Sequence, residues 1–125
     1  SPEDANAVLE NLGFPPLGPI PVMALRHQIA QKLHAVSAPS SMRAHDLIDL
    51  QLLDKAYEGD YSDVRETCIR LFAYRKMQAW PPIIAGGEEW ATIYADQLPD
   101  GNLILNVGDA ISWANSLIGR IDAAR

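Results

Sequence analysis

Cysteine is almost missing from this chain of 125 residues, where Cys68 stands alone. A single cysteine closes no intramolecular disulfide, which agrees with a reducing, cytoplasmic setting. Nothing beside it in sequence would activate a thiol, so Cys68 reads as a small core residue. Long apolar runs are missing too. None approaches the roughly 18 residues that suggest a membrane span, and no basic start leads into an apolar stretch as in a signal peptide. Positive charge is scarce. Ten Lys and Arg face 16 Asp and Glu, giving a net charge of −6 and a pI near 4.8. A surface that coats nucleic acid would be basic, so only a local basic site remains open. Strand signals are equally thin: "NLILNV" (102–107) is the one short apolar run of that character. There is no internal repeat and no low-complexity tract.

What is present is helical pattern. Hydrophobic residues make up 48% and charged residues 21%, a balance that fits one domain with a modest core over residues 1–125. The spacing predicts a short helix over 3–11, stopped by Gly13. A proline-rich extended segment, "GFPPLGPIPV", follows. Further helices are predicted from Met23 to Ser37, Met42 to Glu58, Asp60 or Ser62 to about Gln78, and Glu88 to Leu98. Asn106 can cap a last helix whose stripe is Ala110, Ile111, Ala114, Leu117, Ile118 and Ile121. The expected fold class is mainly α, a compact domain of five to six helices. The chain opens Ser-Pro without a methionine, so we expect an excised piece of a longer protein.

One stretch resists this tidy pattern. In "RAHDLIDLQLLDKAY" (43–57), Asp46 and Asp49 fall among Ile48, Leu50, Leu52, Leu53, Ala56 and Tyr57 on a helical wheel. The two acids lie about 60° apart at a spacing of about 100° per residue. Arg43, Gln51, Asp54, Lys55 and Glu58 gather on the opposite, solvent side. A carboxylate taken out of water costs several kcal/mol unless it is paired. Two other helices offer cations. Lys32 lies at the margin of the stripe Leu25, Ile29, Leu33 and Val36. Arg75 falls within the stripe of Val64, Cys68, Leu71 and Phe72. Two explanations stand. Either these charges form an ion-pair network that fixes helix packing, or they border a cleft where Lys and Arg meet phosphates and an Asp takes a proton.

At these residues the sequence resembles the abortive-infection AbiEii-type nucleotidyltransferases, a family that includes toxins of toxin–antitoxin systems. The family's Lys-Leu-x-Ala motif is matched by Lys32, Leu33 and Ala35. Its Arg-Asp-x-x-Asp-Leu motif is matched by Asp46, Asp49 and Leu50. "LFAYRKMQAWPP" and "EEWATIYADQL" are similar to the family's C-terminal part. Two features depart from the pattern. His45 stands where the family has Arg, with Arg43 two positions earlier. The family's Gly-Ser pair followed by Asp-x-Asp on a strand is absent.

The resemblance implies the helical C-terminal portion of an α+β nucleotidyltransferase, moving a nucleotide from an NTP to an acceptor such as tRNA. Lys32 would contact the nucleotide phosphates and Asp46 would assist the chemistry. Asp49 would catalyse or brace, and Arg75 is added as a nucleotide contact from its place on the wheel. The implied cofactors of a full-length enzyme are Mg2+ and an NTP. None is expected for this chain alone, and no residue here is assigned as a metal ligand. Phosphoryl transfer rests on positioning and charge neutralisation, which the missing motif would supply. Expected partners are the missing N-terminal catalytic half, an antitoxin, a tRNA acceptor and a second copy of the chain, without any membrane. The alternative is a non-enzymatic helical adaptor module whose charges are a packing network. His27 and His34, seven apart on the polar side, supply only two of zinc's usual four ligands and read as a solvated face. Trp80 and Trp90 read as core and not as base-stacking platforms.

Overall fold

The computed structural model describes residues 21–125. The predicted helix over 3–11 and most of the proline-rich segment lie outside them. Five helices follow in chain order, and no strand occurs among the described residues: α1 (Val22–Val36), α2 (Asp46–Ala56), α3 (Tyr61–Arg75), α4 (Trp90–Gln97) and α5 (Val107–Ala123). The mainly α reading therefore holds, and "NLILNV" contributes one buried residue, Leu103, to the core.

Local chemistry sets several helix ends. Asp60 caps α3 by accepting from Ser62 N at 2.8 Å, and Asn106 caps α5 by accepting from Asp109 N at 3.1 Å. The predicted third helix was four residues too long at its start. Residues 42–43 are irregular, 44–45 form a turn, and α2 begins only at Asp46. Likewise α3 ends at Arg75, because Lys76 takes the left-handed conformation at φ 58°.

The bundle is built on α1, which packs along both α2 and α3. Lys32 near the end of α1 meets Asp46 at the start of α2, so this pair runs antiparallel. Arg26 meets Asp63 and His34 meets Phe72, so α1 and α3 run parallel. Leu25, Ile29, Leu33 and Val36 are buried from α1, with Leu47, Leu50 and Leu53 from α2 and Val64, Cys68 and Phe72 from α3. The α5 stripe closes the core through Ala110, Ala114, Leu117, Ile118 and Ile121, with Ile111 partly buried. Burial pushes the Cys68 thiol up to about 12, which fits the inert core role. Trp90 is buried and Trp80 packs partly buried with its ring edge on Phe72, as expected of core residues. Gly86 is needed where the chain turns into α4. Its φ is +78°, and a Cβ there would sit 2.9 Å from Ile111 Cδ1.

Two residues assigned to water by the wheel are in the core. Gln51 is buried. Its Nε2 donates to Tyr94 Oη at 2.9 Å, and its Oε1 accepts from Ile104 N at 2.9 Å. His34 is buried because the chain after α3 folds over it: Gln78 donates to its carbonyl at 2.7 Å and Phe72 packs against its ring. A wheel reports only a helix's own periodicity, so it missed a loop laid across α1 and a segment after α4 that needs a polar anchor.

Candidate functional site

Three elements bring charge to one point. The α1 stripe turns Lys32 toward α2, and its aliphatic stem packs at the edge of the core. The turn before α2 brings Arg43 and His45 alongside. The first turn of α2 presents Asp46 and Asp49, three apart and so on one face. Both acids also stand at a helix N-terminus, where the dipole favours negative charge.

Asp46 is completely enclosed, and both oxygens of its carboxylate have donors. Lys32 Nζ lies 3.2 Å from Oδ1. Arg43 donates from Nε to Oδ2 at 2.6 Å and from Nη2 to Oδ1 at 3.3 Å. His45 Nε2 lies 3.4 Å from Oδ1. Lys32 also reaches Asp49 Oδ2 at 2.8 Å, so one ammonium bridges both acids. Burial pulls the Lys32 amine down, but hydrogen bonds and charge from Asp49 and Asp46 outweigh it and leave the pKa above 10.5. The hydrogen bond and charge of Asp46 likewise raise Arg43 above the ordinary arginine value.

Positions 32, 46 and 49 therefore converge, as either explanation of their charge requires. Arg43, placed on the solvent side by the wheel, is in the group after all. The wheel did not apply, because residue 43 precedes the helix. Arg75 is not in the group. It stands exposed in the last turn of α3, not within that helix's buried stripe, and its charge reaches His34 instead.

A cleft of about 430 Å³ opens beside the cluster. His45, Ile48, Asp49, Leu52 and Lys55 line it from α2 and the turn before it, and Gln97 and residues 99–103 line it from the other side. The two acids thus differ. Asp46 has no exposed surface, while the Asp49 side chain is 18% exposed and lines the cleft. An ammonium has three N–H groups, and Lys32 commits two of them to Asp46 and Asp49. Among the described residues the third has no acceptor, and the second oxygen of Asp49 has no donor. The wheel did not reveal this cleft, since its far wall comes from a turn some fifty residues away.

His45, Asp46 and Asp49 each offer a ligand atom within 4.8 Å of one another, a spacing compatible with one shared cation. They do not fit a divalent ion as arranged. The Lys32 ammonium already bridges the two carboxylates, and Arg43 takes both oxygens of Asp46. Two acids are balanced by two permanent cations, which leaves no excess negative charge to bind Mg2+ at its 2.0–2.1 Å ligand distance.

Comparison with known proteins gave one family match. Residues 3–112 match the family described as "Nucleotidyl transferase AbiEii toxin, Type IV TA system". No curated protein matches the chain.

Proposed function

The chain belongs to the AbiEii nucleotidyl transferase toxin family, and from that premise we propose that it forms the helical wall of a nucleotide-transfer site. The observation that carries this is the shared Lys32 ammonium, tied both to a buried acid and to Asp49, which lines a cleft beside it. Lys32 is held in place by Asp46 and Asp49, and its remaining N–H takes a phosphate oxygen of an NTP. Asp49 faces the cleft, so it contacts the substrate and accepts a hydrogen bond or proton from the acceptor hydroxyl. Asp46 is a positioning residue that fixes Lys32 and Arg43 from behind. This reverses the weight between the two acids that the motif alone would suggest.

Magnesium would neutralise the triphosphate, and its ligands are assigned to a Gly-Ser and Asp-x-Asp element that this sequence does not contain. Alone, the 125 residues are expected to be inactive. The acceptor we favour is an RNA end such as that of tRNA, and the toxin–antitoxin family supplies an antitoxin as counterpart. A second reading has its own observation. Asp46 is fully enclosed with every donor supplied by the chain itself, as in a structural ion-pair network of an adaptor module.

A transfer assay separates the two. The chain is tested alone and joined to a Gly-Ser and Asp-x-Asp element taken from another member of the family, with α-labelled NTP, Mg2+ and tRNA. Only the joined protein is expected to label tRNA. Lys32→Met and Asp49→Asn should each lower the rate by at least about 100-fold, in line with loss of a charge-stabilising or proton-accepting group. Rates within twofold of the parent in both variants would leave only the packing network.

A further inference from the structure

Between α3 and α4 the chain crosses the surface without forming a helix, and one side chain of α5 holds it there. Asn115 grips Ile84 at both backbone groups. Its Oδ1 accepts from Ile84 N at 2.9 Å, and its Nδ2 donates to Ile84 O at 3.0 Å. Two residues facing each other in an antiparallel ladder exchange the same pair of bonds. The asparagine amide thus stands in for a partner strand. Burial alternates to match. Ile84 is buried, while Ile83 is 81% exposed and Ala85 is exposed. That is the period of two of an extended chain.

An extended chain has two edges, and Asn115 occupies one. The N–H and C=O of Ile83 and Ala85 belong to the other. Among the described residues none of these groups has a hydrogen-bond partner. A groove of about 220 Å³ lies along this edge. Ile83, Ala85, Gly86 and Trp90 line one side and residues 36–41 the other, with no charged side chain and without Ile84. Just past the segment Glu88 and Glu89 stand exposed, neither with a partner among the described residues.

We propose that this edge receives an extended segment of a partner protein, which adds as a short strand to residues 83–85 and sets basic side chains against Glu88 and Glu89. A row of unpaired backbone groups matches another backbone, the mode of strand addition. A helix, about 10–12 Å across with its side chains, does not enter a groove of this volume. A second copy fits poorly, because its own 83–85 edge is walled by its own residues 36–41 and the two walls would meet. Antiparallel pairing is the more stable per residue, and it runs the N-terminal side of the partner segment past Glu88 and Glu89. The segment therefore reads as one or two Lys or Arg followed by a short alternating apolar stretch. Asn115 holds the receiving edge in place beforehand, which lowers the ordering cost of binding. The proposal does not need the transfer reading, since no residue of the Lys32 cluster lines this groove.

The test is a titration of the 15N-labelled 125-residue chain with the peptide KKTVTVT, followed by amide NMR. The Ile83 and Ala85 amides are expected to shift and to exchange with solvent at least about tenfold more slowly. The Ile84 amide, already bonded to Asn115, should move little. N-methylation of alternate peptide residues separates edge pairing from apolar contact. One alternate set should abolish binding and the other should leave it within about twofold, because only one edge of the added strand faces residues 83–85. Ala85→Pro removes one N–H of the edge and should weaken binding about fivefold, the effect of one backbone hydrogen bond. Glu88→Gln with Glu89→Gln should weaken binding and remove its dependence on salt. All three positions are exposed, and circular-dichroism melts check that the variants fold. If Ala85→Pro melts early, the methylated peptides against the unaltered chain still decide. Unmoved Ile83 and Ala85 amides at about 1 mM peptide overturn the proposal, and so does equal binding of the two methylated sets. Shifts at these amides that follow protein concentration without peptide would assign the edge to a second copy instead.

Discussion

Replacing Lys32 with methionine keeps the packing stem and removes the charge, which makes it the sharpest probe of the cluster. The variant leaves Asp46 and Asp49 facing each other with oxygens no more than 4.8 Å apart. At an effective dielectric constant of about 20, that separation corresponds to about 3 kcal/mol of repulsion. Two features reduce it. Arg43 stays on Asp46, although it is 47% exposed, and Asp49 keeps 18% of its side chain in water. The expected loss is about 2 kcal/mol, below the 3–5 kcal/mol typical of breaking a fully buried pair. For a domain of this size it lowers Tm by about 6–10 °C. The sign with pH is distinctive. In the parent, the Lys32 pKa lies above 10.5, so its contribution is present at pH 7 and is lost as pH rises through the raised value. The deficit of the variant should therefore be larger at pH 7 than at about pH 11.5. Urea melts of both proteins at the two pH values check this. A loss under about 0.5 kcal/mol, equal at both, would refute the view that Lys32 holds two acids together.

Two further outcomes follow from the residues that the wheel misplaced. Burial, with the charge of Arg75 behind it, lowers the His34 pKa below 6.5, so the unfolded chain takes up that proton first. Stability is complete above pH 6.5 and declines as pH falls through the folded value. His34→Phe should flatten that acid limb in urea midpoints, and an unchanged limb would remove His34 as its source. Gln51→Leu strips the acceptor from Ile104 N and a donor from Tyr94 Oη. It should cost about 2 kcal/mol in a urea melt, and a neutral result would mean that water replaces both bonds.

The fold was legible because the apolar stripes of α1, α3 and α5 are periodic and their caps are local. Asp60 and Asn106 each reach a backbone N–H two or three residues away, a contact written within one turn of sequence. The misplaced residues share one physical cause. Gln51 is buried by an element some fifty residues distant, and His34 by a chain segment that folds back after α3. Neither burial leaves any trace in the periodicity of the helix that carries the residue. Exposure of Arg75 has the complementary origin. It ends α3 just before Lys76 turns left-handed, where the core beneath the stripe has already run out.

The cluster itself was half legible, and the missing half changes its chemistry. Spacing of three placed Asp46 and Asp49 on one face, and a buried acid demands a cation, which left Lys32 and Arg75 as candidates until the family motif pointed to Lys32. Arg43 did not follow, because residues 42–45 were read as helix and the wheel sent it to solvent. Its arrival settles the charge balance. With Arg43 bidentate on Asp46, the enclosed acid is saturated from within the chain, and Lys32 needs Asp49 for its second bond. Under the proposed reading, an anion in the cleft therefore meets an ammonium already fixed by both acids and takes its third N–H, with Asp49 facing the same cleft.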